Sequence, residues 1–167
     1  CETGRCEVAA TVSSAEKAEF VKGLGCDRPI LYRETDVIQE IFNWTDQAGV
    51  DVGFDTVGGV TLSQTIGCTR IYGDVVTILA PAADTDWKTA RDRNHRLSLE
   101  LMLTPQVQTL AAGERHQAEI LRQCADRFDQ GKLKIQIQQV FPLAEAASAH
   151  RLLEAGGLTG KLVLAIP

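Results

Sequence analysis

Short apolar runs alternate along this chain with longer stretches whose apolar side chains recur at helical spacing. Glu7–Val12 (E-V-A-A-T-V) reads as a strand. Ser13-x-x-Glu16 then has the spacing of a capping box, in which hydroxyl and carboxylate satisfy free amides at a helix start. A helix is predicted there, with Ala18, Phe20, Val21 and Leu24 along one side and Gly25 as its stop. Arg28–Tyr32 is a second strand, with Pro29 suited to a strand start or an edge. Asp36-x-x-Gln39 caps a helix bearing Val37, Ile38, Ile41, Phe42 and Trp44; strand Val50–Thr56, a helix with Leu62 and Ile66, and strand Asp74–Leu79 follow. Residues 80–94 are polar and irregular and read as a loop. Leu97–Leu103 alternates strictly, as an edge strand with one wet face does, and Pro105 ends it. His116–Gln130 is an amphipathic helix with Ile120, Leu121, Cys124 and Phe128 on one face and Gly131 as its stop. Leu133–Phe141 alternates again. Leu143, Ala146, Ala147, His150 and Leu153 form a last helix face closed by Gly156-Gly157, and Lys161–Ile166 is a final strand.

Strands and helices in this alternation predict βαβ units, a parallel sheet and right-handed crossovers. The organising stretch is Val50–Gly59 (V-D-V-G-F-D-T-V-G-G), an apolar strand expected to be covered on both faces. It ends at Asp55 and turns through Gly58 and Gly59, where the backbone can approach a ligand. Ligands of open α/β sheets sit outside the carboxyl ends of the strands.

Composition narrows the class. A chain of 167 residues is naturally one domain with a real core, and 44% hydrophobic with 23% charged residues is ordinary for a globular protein. The net charge of −5 lacks the basic face that nucleic acid demands, and no apolar run reaches membrane-spanning length. Cys1, Cys6, Cys26, Cys68 and Cys124 form no C-x-x-C pair and are odd in number, so the expectation is reduced thiols in a cytoplasmic protein. His95, His116 and His150 share no metal-ligand spacing. No metal site is expected, and no residue stands out as a catalytic acid or base.

The remaining chemistry lies at strand ends. At the end of this chain's first strand, a dinucleotide fold decides between its cofactors: an acidic residue there holds the ribose 2′-hydroxyl of NAD, whereas basic and hydroxyl groups suit the 2′-phosphate of NADP. This chain carries Ser13, Ser14 and, one turn on, Lys17 at the end of Glu7–Val12, with no carboxylate in the critical turn. A helix cap beside a solvated lysine accounts for the same residues equally well. Tyr32 and Arg33 end the neighbouring strand, where Tyr32 can close over a phosphate or a base. Asp55 reads better as a turn cap than as an acid or base. There is no G-x-G-x-x-G, because Gly23-x-Gly25 ends a helix.

Three stretches carry a resemblance: Ala10–Asp27 (A-T-V-S-S-A-E-K-A-E-F-V-K-G-L-G-C-D), Tyr32-Arg-Glu-Thr-Asp36 and Val50–Gly59. With the tail Phe141-Pro-Leu-Ala-Glu-Ala and His150-Arg-Leu-Leu-Glu-Ala-Gly156, they resemble the medium-chain dehydrogenase/reductase superfamily, most of all its quinone oxidoreductase branch. The resemblance spans essentially the whole chain. It implies a Rossmann-type, mostly parallel α/β fold lacking the first strand and the glycine-rich turn. Residues 1–132 would be a partial dinucleotide-binding domain, and 133–167 a strand–helix–strand that in the family returns to the catalytic domain. It implies NADPH as cofactor, with Lys17 and Tyr32 on the 2′-phosphate, Ser13 and Ser14 in the same pocket, and Val57, Gly58, Leu79 and Ala80 along the cofactor. It further implies hydride transfer to a quinone or activated alkene without catalytic zinc, and a homodimer through the edge strand 97–103. The family's catalytic domain, first strand and glycine turn have no counterpart in this sequence, and Leu31 stands where the family usually has asparagine. In a 3-2-1-4-5-6 sheet the first strand is central, so strands 7–12 and 28–32 are expected to lack a direct ladder to 50–56. One alternative is a truncated, non-catalytic domain that self-associates and binds no dinucleotide usefully; another, an enoyl-reductase piece of a larger synthase, fits less well, because Tyr32-Arg-Glu-Thr-Asp36 resembles the stand-alone enzymes.

Overall fold

A computed structural model describes residues 6–166, so Cys1 lies outside the described residues. The chain divides between Glu114 and Arg115 into two compact units.

The first unit begins with β1 (Ala9–Val12), α1 (Ala15–Gly23), β2 (Arg28–Leu31) and α2 (Val37–Trp44). β1 and β2 pair in parallel, Val12 opposite Leu31. The cap of α1 is Ser14 rather than Ser13: its side chain accepts from the Lys17 amide at 3.3 Å. Ser14 holds the extended backbone that a cap requires, and this moves the start one residue on. Asp36 caps α2 as the spacing predicts, accepting from the Gln39 amide at 3.0 Å.

β3 (Val50–Asp55), α3 (Val60–Cys68), β4 (Thr69–Thr77), α4 (Trp87–Asp92) and β5 (Arg96–Leu99) follow, and the strands form a parallel sheet in the order β3-β4-β5. Among the described residues no ladder joins β1 to β3, in keeping with the expected break. A shared core ties the pieces together instead: Ile30, Val37, Ile41 and Cys68 pack with Ala9 of β1 and Val50 of β3. Burial pushes the Cys68 thiol up to about 11, with the Asp36 charge adding to the effect and Arg93 opposing it.

Four expectations change here. β3 is covered on one face only. Gly53 and Asp55 face inward, while Val52 and Phe54 are 58% and 62% exposed. β4 starts at Thr69, five residues before the predicted Asp74. The stretch read as a loop contains α4, capped by Asp86 accepting from the Thr89 amide at 3.0 Å. The predicted strand Leu97–Leu103 ends at Leu99, and Pro105 opens α5 (Thr104–Val107) instead of stopping a strand. Proline's fixed φ and missing N–H suit the first turn of a helix.

α6 (Ala111–Asp129) starts earlier than the predicted His116 and runs across the division into the second unit. There β6 (Ile137–Pro142) pairs in parallel with β7 (Lys161–Ala165), and a 3₁₀ turn at Leu143–Glu145 leads into α7 (Ala146–Ala155). Phe141 and Ala149 are its buried apolar residues among those described.

Candidate functional site

The sequence places its candidate residues at strand ends, and the structure collects them in two groups within the first unit. The first lies at the carboxyl ends of β1 and β2. The Tyr32 amide donates to the Val12 carbonyl at 3.2 Å, extending the ladder by one bond and bringing Tyr32 beside the turn that carries Ser13 and Ser14. Lys17 sits in the first turn of α1, half-buried. Among the described residues its side chain has no ion-pair or hydrogen-bond partner. A cation at a helix N-terminus lies against the macrodipole, so no local force explains its place. Tyr32 remains 47% exposed, and the Arg33 guanidinium lies 5.9 Å from its ring centre. This end is polar, open and lightly held.

The second group lies at the ends of β3 and β4. Asp55 is 1% exposed. Its Oδ1 accepts the amides of Val57 at 3.1 Å and Gly58 at 3.0 Å. Its Oδ2 accepts the Gly58 amide again at 3.0 Å and the Thr77 hydroxyl at 2.8 Å. A buried carboxylate needs such donors to offset lost hydration. Asp55 is thus the turn cap that the strand-end reading expected. Thr77 was missed by sequence reasoning. It is 2% exposed, stands opposite Asp55 in the ladder, and its oxygen also accepts the Leu79 amide at 3.3 Å. The available signal was a hydroxyl two residues before a strand-end turn, legible only once the register was known.

Gly58 has φ +76°, and a Cβ there would meet the Leu79 Cβ at 3.2 Å, so the two turns touch. Val57, Ile78 and Leu79 show their side chains to solvent, and Ala80 is exposed beside them. The geometry therefore brings Val57 and Gly58 together with Leu79 and Ala80, and sets Ser13 and Ser14, with Lys17 in the first turn of the helix they open, at the strand end that Tyr32 adjoins. Among the described residues no three His, Cys, Asp or Glu side chains gather as a metal ion requires.

Parallel βαβ units with polar and glycine turns at the strand ends define a Rossmann-type α/β protein. A family profile described as zinc-binding dehydrogenase matches residues 24–164, and the chain belongs to that family, within the medium-chain dehydrogenase/reductase superfamily. The chain is 29% identical to a 2-haloacrylate reductase from Burkholderia sp. over 163 residues, which is 94% of this chain and 47% of that protein. It is 31% identical to a phenolphthiocerol/phthiocerol polyketide synthase from Mycobacterium tuberculosis, across 94% of this chain and 7% of that protein. A crystallised quinone oxidoreductase from Pseudomonas syringae superposes with a TM-score of 0.77 at 28% identity, over 96% of this chain and 49% of that one. The chain thus spans about half the length of the reductase and the oxidoreductase that it matches. Family membership implies a nicotinamide dinucleotide as cofactor.

Proposed function

We propose that this chain is the cofactor-binding portion of an NADPH-dependent reductase acting on quinones or activated alkenes. The observation that carries this reading is Lys17: half-buried, without a partner among the described residues, and in the first turn after Ser13 and Ser14, at the strand end that Tyr32 adjoins. An ammonium and hydroxyls in that arrangement suit a phosphate dianion, which accepts charge-assisted hydrogen bonds. Ser13, Ser14, Lys17 and Tyr32 would hold the 2′-phosphate, and the turns at Val57–Gly58 and Leu79–Ala80 would seat the rest of the dinucleotide. When bound, the reduced dinucleotide supplies a hydride from C4 of its nicotinamide, and the acceptor takes up a proton as well. The chain's own part is binding and orientation. The relatives, a 2-haloacrylate reductase and a quinone oxidoreductase, support an electron-poor alkene or a quinone as acceptor. A homodimer through the 97–103 segment belongs to the same reading: β5 is the sheet edge, and Leu97, Leu99, Leu101, Met102 and Leu103 are exposed.

Lys17→Ala tests the reading. It should weaken NADPH by about tenfold, roughly the 1.4 kcal/mol of one charge-assisted contact, and leave NADH almost unchanged. Equal loss of both, or of neither, rejects the 2′-phosphate role.

A second reading, a self-associating domain without useful dinucleotide binding, is favoured by the open face of β3 at Val52 and Phe54. Concentration-dependent association of a chain that binds neither NADPH nor NADH would select it.

A further inference from the structure

The Asp55–Thr77 pair does more than end two strands. Each strand end could be capped alone, Asp55 by its own turn and Thr77 by Leu79. Instead the Thr77 hydroxyl reaches across the ladder to Asp55 Oδ2 at 2.8 Å while its oxygen takes the Leu79 amide at 3.3 Å. One hydrogen-bonded chain therefore runs from the Leu79 amide through Thr77 and Asp55 to the amides of Gly58 and Val57. Such chains polarise one another, and burial strengthens them. The backbone adds the Ile78 amide on the Asp55 carbonyl at 3.2 Å, and Gly58, lacking a Cβ, lets its turn lie against Leu79. Because the Val57 and Gly58 amides point at a carboxylate, they cannot also serve a ligand anion. The exposed surface of this end is instead the side chains of Val57, Ile78 and Leu79.

We propose that Asp55 and Thr77 are positioning residues that join the 57–59 and 78–80 turns into one rigid ledge, and that this ledge seats the part of the dinucleotide common to NADPH and NADH. The proposal rests on the cofactor reading above. Neither residue touches the cofactor. They act through the backbone of the two turns, so losing the joint has a signature distinct from that of losing Lys17.

The test is Thr77→Val in this full chain, with Thr77→Ser as rescue and Asp55→Asn as a second variant that keeps the side-chain shape. Amide hydrogen exchange is read at Gly58 and Leu79, and NADPH and NADH are titrated separately. The ledge predicts that Thr77→Val accelerates exchange at both amides together, by about tenfold or more for a lost buried hydrogen bond. NADPH and NADH affinity should fall by the same factor, and Thr77→Ser should restore both readouts. Asp55→Asn, whose carbonyl oxygen keeps the Val57 and Gly58 amides and which loses only the oxygen that takes the Thr77 hydroxyl, should give the same joint pattern in weaker form. Acceleration at Leu79 alone, or at both amides with dinucleotide binding unchanged, overturns the proposal. If the unmodified chain binds neither dinucleotide, the cofactor reading fails and the seating falls with it. The exchange data then still decide whether the two turns form one body.

Discussion

The carboxyl ends of β1 and β2 and those of β3 and β4 present opposite designs. At the first, Ser14 caps α1 and Arg33 lies over Tyr32, but the Lys17 ammonium has no partner among the described residues and is held by little more than its place on α1. At the second, a buried carboxylate and a buried hydroxyl are fully engaged, and what faces outward is backbone and apolar side chain. On the proposed reading the first end meets charge and the second holds shape. A substitution at the first should therefore alter selectivity with little loss of stability, and one at the second should do the reverse.

The largest expected effect breaks the second end. Asp55→Ala removes the acceptor of two turn amides and leaves the Thr77 hydroxyl only the Leu79 carbonyl at 3.2 Å. It should cost about 3 kcal/mol in urea denaturation. A loss under about 1 kcal/mol would mean that water or a rearranged turn replaces the carboxylate. Next comes Gly53→Ala on β3, where a Cβ would lie 2.6 Å from both the Thr65 Cγ2 and the Thr69 Oγ1. Overpacking of this kind should cost about 2 kcal/mol, with the thermal midpoint as the readout. At the first end the penalties shrink. Ser14→Ala removes the α1 cap and should cost about 1 kcal/mol, whereas Lys17→Ala should change stability by less than about 0.5 kcal/mol, as surface changes do.

The smallest effect concerns the core between the two ends. Burial raises Cys68 from its ordinary 9.0 to about 11, whereas Cys6 is exposed. Iodoacetamide at pH 8 should modify Cys6 first and leave Cys68 untouched in the folded chain, because the thiolate is the nucleophile. The folded thiol holds its proton more tightly than the unfolded one, so its contribution to stability is complete below about 9.0 and is lost as the pH rises towards about 11. Early labelling of Cys68 would mean that the shared core of Ala9, Ile30, Ile41 and Val50 opens readily.

Much of the fold was legible in the sequence because local signals agree with the tertiary structure. Asp36 caps α2, Leu62 and Ile66 are buried on α3, and the strands alternate with helices as their spacing requires. The errors lie where two physical meanings share one pattern. Alternation in 97–103 looks like a strand, yet pairing to β4 runs only through Leu99, and the Leu101–Leu103 stretch turns into α5. Asp86 is a helix cap inside a stretch whose polarity reads as loop. The apolar run of β3 suggests burial on both faces, but apolarity records what a strand can bury and not what covers it, and Val52 and Phe54 stay open. At the candidate site, Lys17 and Tyr32 were readable as charge and ring at strand ends. Thr77 was not, because its partnership with Asp55 exists only across a ladder whose register no single segment specifies.

The account stands or falls on selective dinucleotide binding by this chain. Titration with NADPH and NADH, followed by nicotinamide fluorescence, measures it directly. The account predicts saturable binding with NADPH favoured by about tenfold or more, the free energy of one ion pair at the end of β1. Equal affinity for the two, or no binding of either, would contradict it.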